Sequence, residues 1–459
     1  MIEILPLLFC LQPTLDATNT RRFAVIITAL LTMTGRVTML GLSRWTEKRG
    51  SYATVQRFFY ASIPWLTLSW LFFRTYLWQP GDTYILAGDE TVVTKSGKET
   101  FGLDRVFSSL YQKAVPGVAL WVWALVSLRE GRAYPLLVEP VLRTTEEKAA
   151  AAARTAARRQ ALQKQKTRSP KPVGKRGRPL GSKTQKGVEA ELNAEMQRIS
   201  QWLKLVLEVL REVLEVRYVV LDGHFGNASG YALARAEGLE VISKLRSDAA
   251  LYANYEGEQK GQGRRKRYGA KIDYRQLPAS QRVSSAEEAG YRTEKYHLAG
   301  VWQKKFGVQL NVLVLVMTRL KDGQQSHAVL FSSDLSLEWE KLEEYYRLRF
   351  QIEFNFREAK QHWGLEDFMV TSEEGVKNAT SLSLFMVQMS EVLLRRGGMQ
   401  VSVEKRVNDL KVIYLGWKYA RETIKRLGEK AEGIKIEEVC GRVSRLGRIH
   451  QEIELPCAA

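Results

Sequence analysis

The chain has 459 residues, with 69 Lys+Arg against 50 Asp+Glu, a formal charge of +19, and 45% hydrophobic and 26% charged residues. This is globular composition. It excludes a wholly disordered chain, a collagen and a disulfide scaffold, and it leaves room for about two to four domains.

Three cysteines, Cys10, Cys440 and Cys457, stand in no metal-ligand spacing and fit a reducing compartment. The excess charge is concentrated. Residues 143–188 hold 14 Lys/Arg and 2 Glu, and residues 260–271 hold 6 Lys/Arg and no acid. The remainder is close to neutral. Two basic segments on a balanced body point to a polyanion, most simply nucleic acid. The bland alternative is a pair of solvated loops that aid solubility.

Met1–Leu11 is apolar but carries Glu3 and lacks a basic start and a small-residue cleavage site, so no signal peptide is expected. Residues 23–42 are apolar around a central Arg36, and their four Thr and two Gly favour a buried helix over a membrane span. A helix is expected from about Arg21 to Leu40 and another over Thr54–Phe59, with Ser51 or Thr54 as its cap. With Arg44, Lys48, Arg49 and Arg57 nearby, these segments suit either a helix-turn-helix reader or an ordinary helical bundle.

From Thr83 the pattern changes. Residues 83–89 read as a short strand ending on Asp89. Val118–Arg129 and Ala133–Leu142 read as a hairpin around Glu130-Gly131-Arg132. Residues 146–166 favour helix, residues 167–187 are a Pro/Gly/Lys-rich loop, and residues 188–215 return to helical periodicity. Met196, Ile199, Leu203, Val206, Leu210 and Val213 form its apolar stripe. Arg217–Asp222 is a strand ending on a second acid, followed by a helix near 228–237 and a strand over 239–245. Residues 246–330 read as a β-rich insertion. One long helix is expected from Ser336, its cap, to about Trp363, and the tail from 375 is mostly helical with a break at Gly428 and Gly433.

Three acids carry the chemistry. Asp89 and Asp222 each follow an apolar run, and sites form at the carboxyl ends of strands in open α/β sheets. Paired carboxylates there suit hard divalent cations, and two such ions activate a nucleophile and stabilise a leaving oxygen in phosphodiester chemistry. The competing reading makes both of them ordinary loop-start residues. On the long helix, Tyr346, Arg349, Glu353 and Lys360 fall within one stripe about 60° wide at 100° per residue. Glu353 would complete a metal cage while Arg349 and Lys360 hold phosphates. The alternative is an internal pair between Arg349 and Glu353, which leaves the Tyr and the Lys unexplained.

Tyr346-x2-Arg349-x3-Glu353-x6-Lys360 resembles the signature of DDE transposases of the insertion-sequence-four family, as does the wording from Arg349 to Gln361. Asp89-Glu90-Thr91 with Lys95, Gly97 and Lys98 resembles the region of that family's first acid. Asp222-Gly223-His224-Phe225 resembles the second, with His224 where an aromatic is usual. Phe331-Ser332-Ser333-Asp334-Leu335 is also similar. The resemblance spans roughly residues 83–365.

It implies an α/β fold with an RNase H-like core, a β-rich insertion, and helical N-terminal and C-terminal regions. The corresponding division is a helical N-terminal DNA-binding domain over 1–80, the first part of the core over 81–245 with the basic loop 143–188, the insertion over 246–335, the helix of the last acid over 336–370, and a helical C-terminal region over 371–459. It implies Asp89, Asp222 and Glu353 as catalytic metal ligands for Mg²⁺, with Mn²⁺ as a substitute. Double-stranded DNA is the implied partner, as transposon terminal inverted repeats and target, bound by a homodimer in a synaptic complex. Tyr346, Arg349 and Lys360 are implied contacts to end DNA. The expected setting is cytoplasmic, bacterial and nucleoid-associated, with no membrane partner.

Further DNA contacts are expected from the basic runs. Arg176 and Arg178 lie in an AT-hook-like Arg-Gly-Arg segment, and Arg264, Arg265, Lys266 and Arg267 form a backbone-gripping cluster. Trp302 and Trp339 suit either a flipped base or core packing, and core packing is the expectation. Two other functions compete: a catalytically inactive, transposase-derived DNA-binding protein, and a carboxylate-pair hydrolase acting on sugars, which would have no use for basic patches.

Overall fold

A computed structural model describes residues 2–46, 50–108, 112–166, 192–259, 262–263, 265–397, 403–427 and 435–444. The chain opens with helices, among them α1 (Ile4–Leu7), α2 (Ala17–Thr32), α3 (Met39–Trp45), α4 (Tyr52–Phe59) and α5 (Trp65–Tyr76). Asp16 caps α2 by accepting from the N–H groups of Thr18 and Asn19, and Ser51 caps α4 through Thr54. The helix expected to run to Leu40 stops at Thr32, and the chain then turns at Gly35 with φ +83°. Apolar content predicted the buried helix but not its end.

Four strands follow: β1 (Tyr84–Thr94), β2 (Leu103–Ser108), β3 (Lys113–Ser127) and β4 (Arg132–Pro140). The expected β3–β4 hairpin forms around Gly131 at φ +61°. Next come α6 (Thr145–Lys166) and α7 (Ala194–Leu210), then β5 (Tyr218–Leu221), α8 (Ala228–Ala236) and β6 (Glu240–Leu245). The predicted stripe of α7 is buried from Met196 to Leu210, while Val213 is half-buried beyond the helix end.

β1, β5 and β6 run parallel, and β3 lies antiparallel against β1. This is the order of an RNase H-like α/β core. The strands β7 (Leu251–Asn254), β8 (Tyr268–Lys271), β9 (Arg282–Glu288), β10 (Tyr291–Gln303), β11 (Val308–Arg319) and β12 (Gln325–Ser332) do not stand apart. β12 pairs antiparallel with β6, so the β-rich segment extends the core into one twelve-stranded sheet of order β2-β3-β1-β5-β6-β12-β11-β10-β7-β8, with β4 beside β3 and β9 beside β10.

The long helix expected from Ser336 is two helices, α9 (Trp339–Leu348) and α10 (Gln351–His362). At the junction the N–H groups of Phe350, Ile352 and Glu353 bond to the carbonyls three residues back. This tightening separates the two helices at Arg349 and Phe350. Ser336 is not the cap. It bonds to Asp334, and Glu338 precedes α9 with no side-chain cap.

Three more helices complete the described chain: α11 (Glu373–Arg396), α12 (Val403–Leu427) and α13 (Ile436–Val443). The expected break at Gly428 and Gly433 lies outside the described residues. α11 is a core element rather than an appendage. Nearly every residue from Gly375 to Leu394 is buried, and Phe385 packs against Phe23 and Phe72 at ring distances of 5.0 and 4.9 Å. The first helices, the sheet and α11 therefore share one hydrophobic core.

Candidate functional site

Asp89 was expected at a strand end, yet it lies inside β1, which continues to Thr94 along β3. What ends near Asp89 is the parallel ladder. β1 pairs with β5 only over Leu86–Gly88, and Gly88 is the register partner of Leu221. The next residue of each segment is an acid, Asp89 within β1 and Asp222 just after β5. Neighbouring strands lie about 4.8 Å apart, so the two acids are close in space and the Asp222 charge acts on Asp89. Gly88 cannot carry a side chain here, because a Cβ would lie 2.7 Å from Trp121 Cζ2 and closer still to Trp123. The two indoles fill the opposite face.

Asp222 is held by its own turn. Its Oδ1 accepts from the His224 N–H at 3.0 Å, and its carbonyl accepts from the Ser243 hydroxyl at 2.7 Å. Gly226 closes this turn against the Lys244 carbonyl, which leaves no room for a Cβ.

The third acid, Glu353, lies in the first turn of α10, just after the junction with α9. Arg349 spans two of the three: its Nη1 lies 2.6 Å from Asp89 Oδ2 and its Nη2 lies 3.1 Å from Glu353 Oε1. The Arg349 and Asp89 side chains are 12% and 16% exposed, while Glu353 is 38% exposed. Burial pushes the Asp89 carboxyl up to about 6. Arg349 and the Glu90 N–H pull against that shift, and the negative charges of Asp222 and Glu353 add to it. Tyr346 joins the group with its ring 6.0 Å from the Arg349 guanidinium. Burial raises its hydroxyl, Arg349 opposes this, and Asp222 adds to the rise.

Lys360 is not at the acids. Its Nζ donates to the Val92 carbonyl at 2.8 Å and pairs with Glu366 at 3.3 Å. Lys95 likewise donates to the carbonyls of Glu366 and Phe368, at 2.9 and 2.8 Å. The two lysines fasten the segment after α10 to the far end of β1. Of the basic candidates, Arg265, Lys266 and Arg267 are exposed between β7 and β8. Lys266 lies over the Tyr255 ring at 5.1 Å and Arg267 over Trp302 at 5.7 Å. Arg176, Arg178, Arg264, Lys48 and Arg49 lie outside the described residues. Trp302 is half-buried rather than in the core, with its indole N–H on Asn254, and Trp339 is half-buried beneath Lys295.

Two further positions frame the site, and neither carries a strong local signal in the sequence. Gly88 had no signal beyond a glycine before an acid. Asp334, noticed only as part of a resemblance, accepts from Arg217 at 2.6 Å, Tyr218 at 2.7 Å and the Ser336 hydroxyl at 2.6 Å. It thereby ties β5 to the start of α9.

Among the described residues no group of three or more His, Cys, Asp and Glu is drawn together closely enough to hold a metal ion. The donor set nonetheless suits a divalent cation. All three groups are hard carboxylates, and a positive charge, the Arg349 guanidinium, already sits between two of them. No described helix is long and apolar enough to cross a membrane.

Residues 10–302 match the family described as DDE superfamily endonuclease, a span that covers more than half of the chain and includes Asp89 and Asp222. No curated protein matches this chain. A chain with this sheet order and this family match across most of its length belongs to the DDE superfamily endonucleases, proteins of nuclease and transposase type that act on DNA.

Proposed function

We propose that the chain is a transposase that cuts DNA at the ends of a mobile element and joins the freed 3′-hydroxyl to target DNA. The observation that carries this reading is the Arg349 bridge between Asp89 and Glu353, with Asp222 directly after the strand that pairs beside Asp89. In this reading the three carboxylates hold Mg²⁺, or Mn²⁺ in its place. When bound, the metal supplies Lewis-acid activation of water and neutralises charge on the phosphate. The chain's own groups do the rest. The turn at Asp222 and the register at Gly88 fix two carboxylates at strand spacing. Tyr346 and Arg349 stand where a phosphate meets the acids, and the Arg349 fork suits two phosphate oxygens. The basic run at Arg265–Arg267 holds backbone farther along the sheet.

The test is a nicking assay on a supercoiled plasmid that carries the genomic DNA flanking the gene. Mg²⁺ is expected to support nicking and EDTA to stop it. Asp89→Ala, Asp222→Ala and Glu353→Ala should each lower the rate by about a thousandfold or more while DNA binding persists. Nicking by all three variants at the parent rate would refute the assignment.

A second reading, a DNA-binding protein without catalysis, is favoured by one observation: Arg349 already pairs with two of the acids. Binding without nicking under any divalent metal would select it.

A further inference from the structure

We propose that Arg349 is a displaceable cation that closes the acidic site until DNA arrives, so that metal and DNA bind cooperatively; this rests on the reading of Asp89, Asp222 and Glu353 as metal ligands. In the described state the guanidinium occupies the space between Asp89 and Glu353, at 2.6 and 3.1 Å from their oxygens. A divalent cation needs the same oxygens. Two positive charges within a few ångströms in a half-buried site repel strongly, so one must leave before the other settles.

Arg349 is built to leave. Its Nε is buried with no hydrogen-bond partner, so its donor set is not fully used where it stands. It sits at the junction of α9 and α10, where the helix tightens to bonds three residues apart. A side chain at such a junction can be re-aimed by a small backbone change without moving either helix. Tyr346 offers a nearby resting surface, with its ring 6.0 Å away. A phosphodiester presents two oxygens that match the guanidinium fork as well as a carboxylate does. DNA therefore draws Arg349 off the acids and leaves Asp89 and Glu353 charged and open. By linkage, the metal then tightens DNA binding by the factor with which DNA tightens the metal.

The consequence is a protein that holds metal poorly when free and well when on DNA, which restrains cleavage away from a bound substrate. The test reads metal occupancy rather than cleavage. Mn²⁺ binding to the full chain is followed by electron paramagnetic resonance, with and without a mixed-sequence duplex, and thermal melting checks that each variant is folded. Arg349→Gln keeps hydrogen-bonding capacity and removes the charge. Without DNA it should bind Mn²⁺ about tenfold more tightly than the parent chain. Adding duplex should tighten Mn²⁺ binding more in the parent chain than in Arg349→Gln.

Equal or weaker Mn²⁺ binding by folded Arg349→Gln without DNA overturns the proposal. So does a parent chain whose Mn²⁺ affinity ignores the duplex, a result that stands even if the variant fails to fold. Asp89→Ala and Glu353→Ala distinguish the two levels. If they lose Mn²⁺ while Arg349→Gln gains nothing, the site stands and the latch falls. If they keep it, both fall.

Discussion

Gly88 and Leu221 are register partners in parallel strands, and each is followed directly by an acid. That pairing turns two carboxylates 133 positions apart in sequence into neighbours. It depends on a glycine, because the Trp121 and Trp123 indoles occupy the face where a side chain would go. Gly88→Ala should force β1 away from the indoles and cost about 1–3 kcal/mol of stability. Urea unfolding measures the loss, and the nicking rate should fall with it as Asp89 shifts from Asp222. Parent stability and rate in this variant would show that the clash is easily relieved.

Asp334 collects Arg217, Tyr218 and both polar groups of Ser336 at 2.6–2.9 Å. Asp334→Ala should cost about 2–3 kcal/mol, since it leaves several donors without their acceptor. The same residue predicts a pH dependence. Desolvation raises its carboxyl, but the bonds from Ser336 and Tyr218, with Arg217, outweigh it and the net shift is downward. A carboxyl depressed in the folded state contributes stability above its unfolded value, about 3.9, and loses it as pH falls through the folded value. Parent and Asp334→Asn chains should therefore converge in stability as the pH is lowered below about 4. Curves that stay parallel would remove this carboxylate from the acid transition.

Asn378 joins the first helices to the core. Its buried amide donates to the carbonyls of Phe59 and Ala61, both at 2.8 Å, and accepts from the Trp65 indole at 2.7 Å. Asn378→Ala orphans all three and should cost about 2–4 kcal/mol. Because Phe385 also packs into the first helices, these helices should unfold with the sheet in one transition. Two resolved transitions by calorimetry would mean an independent N-terminal unit.

Arg265, Lys266 and Arg267 are exposed beside β7 and β8. Replacing all three by Ala should weaken DNA binding equally for any sequence. It should also lower the slope of log affinity against log salt by about one for each phosphate that the variant no longer neutralises. An unchanged slope would identify the run as a solvated loop.

Much of this fold was legible in the sequence because local patterns are set by local chemistry. Two apolar runs around Glu130-Gly131-Arg132 marked the β3–β4 hairpin. The spacing of Arg349 and Glu353 survived the break between the helices, since residues four apart stay neighbours across the tightened turn. Lys360 did not stay with them. It lies two turns further along α10 than Glu353 and is held by the Val92 carbonyl and Glu366. No helical wheel contains those partners.

By itself, the sequence determined the element types, the two concentrated basic runs and the three candidate acids, since propensity, periodicity and charge act over a few residues. Tertiary structure alone decided that Asp89 lies within a strand, that α11 is core, that the β-rich segment extends the same sheet, and that Arg349 bridges two acids. Those outcomes rest on strand register and on burial against distant residues, which no local pattern contains.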